Sequence, residues 1–247
     1  AWWPARPNAT YVTLNLGEIY ITGQYQRKSP SVWTGGWMAA ACSPGGVRGI
    51  TISEQVQNDY TNAVDRWKIR CHWVSPTNTT YLRYHDEEWG RPVHDDQLLF
   101  EMLILENFQA GLTWECVLNK REAFRRAFAG FDLRKVASYS EEKLTALQAD
   151  SGIIVTAENT AAVVNAQAFQ KIQQEWGSFD RYLWHWTDEK SIQEVDKVSS
   201  PLSDAISKDL KKRGMKFVGT VIIYAYLQAV GVINSHESGC FLNPLQQ

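Results

Sequence analysis

The sequence DQLLFEMLILENF, residues 96–108, carries the strongest structural signal in the chain. Its apolar residues cover so wide a part of a helical surface that the segment is typical of a buried helix. The following segment, VLNKREAFRRAFAGF, places Val117, Phe124 and Phe128 on one stripe at helical spacing. We therefore predict a helical core that begins near Asp96.

Helical signals continue towards the C-terminal end of the chain. Ser140 is placed to cap a helix that contains KLTALQAD, and Gly152 is placed to end that helix. About seven or eight helices with short connections predict an all-α domain. No apolar run reaches 18 residues, so we expect no membrane-spanning helix. The later helical segments are AENTAAVVNAQAFQKIQQEWG, SFDRYLWHW, PLSDAISKDLKKRG and FVGTVIIYAYLQAVG.

The first 66 residues differ from the rest. Polar and apolar residues alternate on both sides of Gly17, which predicts a short β-hairpin, and residues 56–70 have the apolar spacing of a lead-in helix. No chemistry can be assigned to this part. We therefore divide the sequence into an N-terminal extension of unknown structure, residues 1–66, and a helical domain, residues 67–247.

Charge and cysteine content restrict the classes of function. Residues 1–70 contain seven Lys and Arg against four Asp and Glu, whereas residues 71–247 contain eighteen against twenty-three. A nucleic-acid partner of the second part would therefore require its basic groups to lie on one face. Four cysteines in 247 residues do not resemble a disulfide framework, so we expect a reduced, cytoplasmic environment.

Two pairs of Cys and His predict a metal site. His236 and Cys240 are four positions apart in NSHESGC, and Cys71 and His85 are 14 apart in CHWVSPTNTTYLRYH. Together they would complete a Cys₂His₂ tetrahedron, a closed set that suits structural zinc rather than catalysis. The alternative for the first pair is a histidine that merely lies near a buried thiol.

An acidic residue follows the apolar run MLIL. A carboxylate on an apolar helix face costs several kcal/mol unless it is paired, protonated or facing a pocket, so Glu106 is a candidate pocket residue. The alternative is a glutamate turned outward at the helix end. Aromatic residues that suit the walls of such a pocket, although each alone is more often a core residue, are Trp73, Tyr81, Tyr84 and Trp114.

The segment LKKRGMKFVGT, residues 210–220, has the form of a helix-hairpin-helix. Gly214 and Gly219 are expected to permit the sharp turn, and backbone N–H groups where the second helix begins, near Thr220, can bind a phosphate. The alternative is a solvated lysine-rich helix end, which suits the helix dipole. The basic residues that would assist phosphate binding are Lys211, Lys212, Arg213 and Lys216.

Four segments together resemble one family. They are residues 71–114, Gly-Ile-Ile at 152–154, residues 201–220 and NSHESGC, and over residues 69–242 they are similar to the bacterial 3-methyladenine DNA glycosylase I family of helix-hairpin-helix glycosylases. The resemblance implies that Cys71, His85, His236 and Cys240 hold a structural zinc ion. It also implies that Glu106 contacts the flipped base, that Tyr84, Trp114, Trp73 and Tyr81 bind it, and that Leu112 fills the gap left in the duplex.

Among the departures of this chain from the family pattern, two remove charged residues. After Gly-Ile-Ile the family has a basic stretch, whereas this chain continues with VTAENTAAVVNA. Ser235 stands where the family commonly has an aspartate, so a carboxylate near the metal site is missing. We expect both changes to leave the pocket intact and to affect DNA affinity and activity.

The resemblance implies a monofunctional hydrolase that removes 3-methyladenine from alkylated double-stranded DNA by base flipping. A lyase step would need a desolvated lysine at the pocket, and the hairpin lysines are expected to bind phosphate instead. We expect a monomer without a membrane segment. The rival hypotheses are a catalytically weak DNA-binding relative and a helical interaction module held together by zinc.

Overall fold

The structure is a computed structural model that describes residues 10–15, 20–25, 68–109, 112–148 and 158–244. The chain divides into two units, residues 1–68 together with Gln247, and residues 69–246. Each unit is described by itself. The functions assigned to the two parts of the sequence stay predictions.

Two antiparallel strands are described in the first unit, β1 (Thr10–Asn15) and β2 (Tyr20–Tyr25). Thr10 pairs with Tyr25 and Asn15 with Tyr20. The predicted hairpin strands are therefore confirmed, while their connection lies outside the described residues. Residues 68–70 are not helical, and the rest of the predicted lead-in helix also lies outside the described residues.

The second unit is helical, as predicted, with 3-10 turns at Ala129–Phe131 and His185–Thr187. Two short strands, β3 (Ile192–Gln193) and β4 (Ile233–Asn234), pair in parallel, with Ile192 opposite Ile233. Its described helices are α1 (Thr79–Glu87), α2 (Asp96–Phe108), α3 (Trp114–Asn119), α4 (Arg121–Ala127), α5 (Leu133–Ala137), α6 (Glu141–Gln148), α7 (Glu158–Trp176), α8 (Phe179–Trp184), α9 (Pro201–Lys212) and α10 (Thr220–Ala229).

Helix α2 is the centre of the second unit, which confirms the prediction made from its composition. Asp95 caps its start by accepting the N–H of Leu98 at 2.8 Å, and every residue from Leu99 to Phe108 is buried. Phe100 packs edge-on against Phe169 of α7, with ring centroids 5.3 Å apart. Because α2 is surrounded in this way, any polar residue in its last turns needs a partner or a cavity.

Asp96 fastens α2 to two other helices. Its Oδ2 accepts hydrogen bonds from Gln173 Nε2 at 2.7 Å and from the Phe179 N–H at 2.9 Å, and its Oδ1 accepts the Asp180 N–H at 2.8 Å. A carboxylate at the start of α8 satisfies N–H groups that have no partner within the helix. These hydrogen bonds hold the start of α2 against α7 and α8.

The single helix expected over residues 117–131 is instead two short helices, α3 and α4. They meet at Lys120, whose φ of −98° and ψ of 2° depart from helical values. At this break Arg121 turns inward and donates to Glu101 at 2.5 Å and to Glu88 at 2.6 Å. The stripe of apolar residues is nevertheless buried as expected, because both helices present it to α2.

The remaining helix signals are confirmed where they are described. Ser140 Oγ accepts the Lys143 N–H at 3.3 Å at the start of α6, whereas Gly152 and the Gly-Ile-Ile segment lie outside the described residues. Ser200 and Ser203 form a reciprocal cap before Pro201 at the start of α9. Within the described parts of the chain, no helix combines the length and hydropathy that a membrane crossing requires.

The strand pair β3–β4 brings the last part of the second unit back to its beginning. After β4 the chain turns, and the Phe241 N–H donates to the Ile69 carbonyl oxygen at 2.8 Å. The Gly90 N–H similarly donates to the Gln228 carbonyl oxygen at 3.0 Å. These contacts place residues 71–90 and 233–243 side by side, where the candidate site is formed.

Candidate active site and candidate metal centre

A cavity of about 280 Å³ opens between α1, the end of α2, the start of α3 and the last turns of α10. This volume is close to the lower limit of small-molecule sites, roughly 300 Å³. We call it the aromatic pocket after the five rings that line it, Trp73, Tyr81, Tyr84, Trp89 and Trp114. Four of these five rings were selected from the sequence as pocket walls.

Glu106 lies in the buried wall of the aromatic pocket, in the last turn of α2. It is 3% exposed, and its Oε2 atom has no hydrogen-bond partner among the described residues. Burial raises the pKa of this carboxyl group from 4.5 to about 8, so it is mainly protonated at pH 7. The outward-facing alternative is therefore wrong.

The rings of the pocket support one another in tilted and edge-to-face pairs. Trp73 meets Tyr81 with centroids 5.1 Å apart and Trp89 at 4.8 Å, while Tyr84 meets Trp114 at 5.4 Å. Such pairs hold each ring in a defined orientation. The Nε1 atom of Trp114 is buried without a hydrogen-bond partner among the described residues. The pocket thus offers a ligand aromatic surfaces and an unsatisfied indole donor.

A polar wall completes the pocket, and the sequence did not predict it. Gln228 of α10 donates its Nε2 hydrogen to Ser235 Oγ at 2.7 Å, and both residues line the cavity. His72 and Asp196, which are exposed, and Glu237, which is half-buried, line it as well. We call these three residues the rim.

Cys71, His85 and Cys240 form a buried cluster beside the pocket. One ligating atom from each lies within 4.8 Å of the other two, and none of the three residues is more than 2% exposed. Both cysteines are free thiols. The ring of His85 also contacts Trp73, with centroids 5.4 Å apart, so the cluster directly supports a pocket wall. Three of the four residues that were assigned to a metal therefore meet.

His236, the fourth, lies next to this cluster with its ring centroid 5.1 Å from that of His85. Its Nδ1 is 3.0 Å from Asn234 Oδ1, while its Nε2 is buried without a partner among the described residues. Burial, followed by the neighbouring His85, lowers the pKa of His236 to about 4. The ring is therefore neutral, and since Nδ1 donates to the amide oxygen, Nε2 carries the lone pair.

Each of the two sulfur atoms accepts a hydrogen bond from a backbone N–H group. The Glu237 N–H donates to Cys71 Sγ and the Leu242 N–H donates to Cys240 Sγ, each at 3.5 Å. Burial raises the pKa of the Cys71 thiol to about 12. A bound cation reverses this effect, because a coordinated thiol loses its proton.

His85 is oriented by a carboxylate. Its Nδ1 lies 2.8 Å from Asp86 Oδ1, and Arg70 binds the same carboxylate through Nη2 at 2.6 Å. With Nδ1 occupied, Nε2 faces Cys240 Sγ at 3.5 Å. A carboxylate behind a histidine is the usual outer support of a metal ligand.

The turn between α9 and α10 is tightly held. Gly214 has a φ of +94°, a region that favours glycine, which confirms the prediction for this position. Asn165 of α7 binds the turn twice, by accepting the Lys216 N–H at 2.7 Å and by donating to the Lys216 carbonyl oxygen at 2.9 Å. The backbone at the start of α10 is thus presented on a rigid support.

Gly219 differs from expectation. Its φ of −62° is one that any residue adopts, so the prediction that it permits the turn through its backbone freedom is wrong. A Cβ atom there would meet nothing within 4 Å. The start of α10 has no side-chain cap, so its first N–H groups remain available to an outside acceptor. Lys211, Lys212 and Lys216 are exposed close by.

Two residues predicted to contact DNA are engaged within the protein. Arg213 donates to Asp209 and to Glu175, both at 2.6 Å. The Thr220 hydroxyl donates to Asp204 at 2.5 Å, which ties α10 to α9. Both side chains stabilise the turn, and a phosphate would compete with carboxylates for Arg213. Their contact with DNA stays a prediction.

Leu112 stands immediately before α3. Its side chain is partly buried against the core, and its N–H donates to the Gln109 carbonyl oxygen at 2.9 Å. Thr113 then caps α3 by accepting the Cys116 N–H at 3.3 Å. Residues 110 and 111 lie outside the described residues. Insertion of Leu112 into a duplex stays a prediction.

A family model described as methyladenine glycosylase matches residues 73–243. The chain belongs to the methyladenine glycosylase family. DNA-3-methyladenine glycosylase 1 of Escherichia coli (strain K12) is 43% identical over 183 residues, which are 71% of this chain and 97% of that protein. DNA-3-methyladenine glycosylase of Haemophilus influenzae is 38% identical over 178 residues, 69% of this chain and 96% of its own length.

Solved structures agree with this methyladenine glycosylase assignment. A crystal structure of 3-methyladenine DNA glycosylase I has a TM-score of 0.69 at 42% identity and covers 71% of this chain and 100% of its own. A Staphylococcus aureus structure, described as the basis of 3-methyladenine recognition, has a TM-score of 0.65 at 34% identity and covers 66% and 91%. The family and the all-α glycosylase fold inferred from the sequence are confirmed.

Sequence reasoning missed two walls of the aromatic pocket. Trp89 stands in YHDEEWG, four positions after His85, a helical spacing that could have revealed it. The two rings are stacked with centroids 6.1 Å apart. Gln228 carried no such signal, because its role depends on the turn that brings Ser235, seven positions later, back beside it.

Proposed function

We propose that this protein is a monofunctional DNA glycosylase that hydrolyses the N-glycosidic bond of 3-methyladenine in alkylated double-stranded DNA. The observation that carries the proposal is Glu106, a buried carboxyl group in an aromatic cavity that has no counter-ion among the described residues. Such a group is costly unless a ligand compensates it. The names of the relatives, which specify 3-methyladenine, support this choice of ligand.

Base flipping would deliver the substrate to the pocket. A purine stacked in a duplex cannot reach Glu106, so the nucleotide must rotate out of the helix, and a damaged pair costs least to open. We propose that Leu112, which precedes the pocket-lining helix α3, fills the vacated space.

The pocket is suited to a cationic purine. Methylation at N3 gives adenine a positive charge, and the faces of Trp73, Tyr84 and Trp114 attract cations through their π-electrons. Tyr81 packs edge-on against Trp73 and holds it in place. A cation beside Glu106 would also stabilise the ionised carboxylate and lower its pKa. Glu106 would therefore release its proton when the damaged base binds.

Hydrolysis then needs no protein nucleophile. The positive charge weakens the glycosidic bond, so water attacks C1′ while the electron pair of the breaking bond neutralises the purine. No lysine is found among the described residues that line the pocket. Since a lyase step requires an amine there, the proposal is restricted to hydrolysis.

The proposal includes a structural zinc ion held by Cys71, His85, His236 and Cys240. Two thiols and two imidazoles are a donor set that zinc prefers, and the unpartnered Nε2 of His236 is the observation that supports a fourth ligand. When bound, zinc supplies no reaction chemistry. It would fasten the two ends of the second unit and thereby hold Trp73 against the pocket.

DNA would bind along the turn between α9 and α10, which we interpret as a helix-hairpin-helix. Uncapped N–H groups at the start of α10 suit one phosphate, and Lys211, Lys212 and Lys216 suit its neighbours. Gly219 leaves room for the backbone to approach. We include in the proposal a monomer that acts in the cytoplasm.

Release of the base tests the proposal. The full chain is incubated with methylated duplex DNA, and free 3-methyladenine and abasic sites are measured. Glu106→Gln should reduce release roughly 100-fold or more while the variant stays folded. DNA binding without release by the unmodified protein would favour a catalytically weak relative, and neither binding nor release would favour an interaction module.

A further inference from the structure

We propose that His72 and Glu237 form a dyad at the mouth of the aromatic pocket that orients the water molecule for hydrolysis. This inference rests on the proposed function. Glu106 and the aromatic rings contact the base, and the hairpin binds phosphate, so neither group can hold a water molecule against the sugar.

Glu237 holds His72 with both of its carboxylate oxygens. Oε2 accepts the backbone N–H of His72 at 3.0 Å, and Oε1 contacts Nδ1 of the imidazole. Two contacts to one residue fix the backbone and the orientation of the ring. Glu237 is itself held by the hydrogen bond from its N–H to Cys71 Sγ at 3.5 Å.

The contact with Glu237 determines which ring nitrogen of His72 is left to hold water. A carboxylate oxygen accepts hydrogen bonds, so Nδ1 of His72 is the donor. Nε2 is therefore the ring nitrogen that stays available to a water molecule. A ring nitrogen oriented by a carboxylate on the other nitrogen is the arrangement that enzymes use to direct a nucleophile.

The position of His72 fits the sugar rather than the base. Glu106 is 3% exposed, whereas the side chain of His72 is 83% exposed, and both line the same cavity. A purine that reaches Glu106 leaves its C1′ atom where the pocket opens to solvent. His72 lies on that side, so its Nε2 atom can accept a hydrogen bond from water beside C1′.

The reaction step balances with water alone. The oxygen of the water held by His72 Nε2 forms a bond to C1′ as the bond between C1′ and the purine breaks. The electron pair of the broken bond stays on the purine and neutralises its charge. The excess proton passes to bulk solvent, which reaches the exposed ring.

Two substitutions separate this role from a merely structural one. In His72→Asn the side-chain amide keeps a donor towards Glu237 but places nothing at the Nε2 position, whereas in His72→Gln an amide oxygen reaches that position. We expect His72→Asn to slow single-turnover excision from methylated duplex DNA about tenfold and His72→Gln to stay within about threefold of the unmodified protein.

Product analysis in water–methanol mixtures tests whether His72 holds the attacking water molecule. An oriented water molecule excludes methanol, so the unmodified protein should form less methyl deoxyriboside than the solvent ratio predicts. His72→Asn should raise this fraction towards that ratio. The affinity for free 3-methyladenine, followed by tryptophan fluorescence, and the melting temperature should not change.

His94→Asn is the matched control. His94 is also exposed, its Nδ1 lies 2.8 Å from Asp180 Oδ1, and it does not line the pocket. This variant should retain both rate and product ratio. Unmodified rate and product ratio in His72→Asn would overturn the inference, as would a loss of free-base affinity equal to the loss of rate. Absence of release by the unmodified protein would instead contradict the proposed function.

Discussion

Replacing Glu106 with glutamine should increase the stability of the protein while it reduces excision roughly 100-fold or more. The carboxyl group has a pKa of about 8 in the folded state, because it is buried without a partner, against 4.5 when solvated. Between these pH values the unfolded chain has released the proton and the folded chain retains it. The free energy of unfolding therefore falls as the pH rises from about 4.5 and levels off above about 8.

The size of the effect follows from the two pKa values. At about 1.36 kcal/mol for each pKa unit, the ionisable group costs the folded state roughly 3 kcal/mol at pH 7 and roughly 5 kcal/mol above pH 8. Glutamine has nearly the same shape and carries no charge, so it lacks this cost. The variant should match the unmodified protein near pH 4.5 and exceed its stability increasingly towards pH 8.

Urea unfolding followed by circular dichroism at pH 5, 7 and 8.5 measures the difference. Glu101→Gln is the matched control on the same helix, since Glu101 is 5% exposed but binds Arg121 at 2.5 Å and Arg125 at 3.0 Å. It should lower stability by about 3–5 kcal/mol, because Arg121 loses a buried partner. A Glu106→Gln variant that is less stable at pH 7, or a difference independent of pH, would refute the reasoning.

Three further changes test the remaining parts of the site. Cys240→Ser should remove bound zinc and lower the melting temperature, whereas Cys116→Ser should retain the metal; elemental analysis that finds no zinc in the unmodified protein contradicts this. Gly90→Ala should destabilise the second unit by about 1–3 kcal/mol in urea unfolding, because φ is +72° and the added Cβ would lie 2.7 Å from His236. Lys212→Ala should weaken duplex binding and reduce the slope of log affinity against log salt by about 0.9, without a change in free-base affinity; an unaltered slope excludes a phosphate contact.

The parts of the site that were predictable are those that depend on short spacings. The continuous apolar run in α2 required burial, and a glutamate at its end then had to face either solvent or a cavity. His236 and Cys240 were selected from their spacing of four positions, and Cys71 and His85 because one segment supplies a second cysteine and a second histidine. The meeting of Cys71, His85 and Cys240 in one buried cluster supports the zinc proposal, which stays a prediction.

The parts that were not predictable depend on partners that are distant in the sequence. The break at Lys120 coincides with the insertion of Arg121 between Glu88 and Glu101, and no local pattern announces an ion pair across 20 or 33 residues. The bond from Arg213 to Glu175 was not predictable because 38 residues separate them, whereas Asp209, four positions before Arg213, was a local signal.

The hydrogen bond between Phe241 and Ile69, together with the neighbouring thiols, closes the second unit into a loop. A ribosome that synthesises this chain must release Cys240 before the loop can close, so the pocket cannot mature on a nascent chain that stops short of it. If a force were applied to the two ends of this unit, these contacts would bear it first. The helices would unfold only after the contacts had broken.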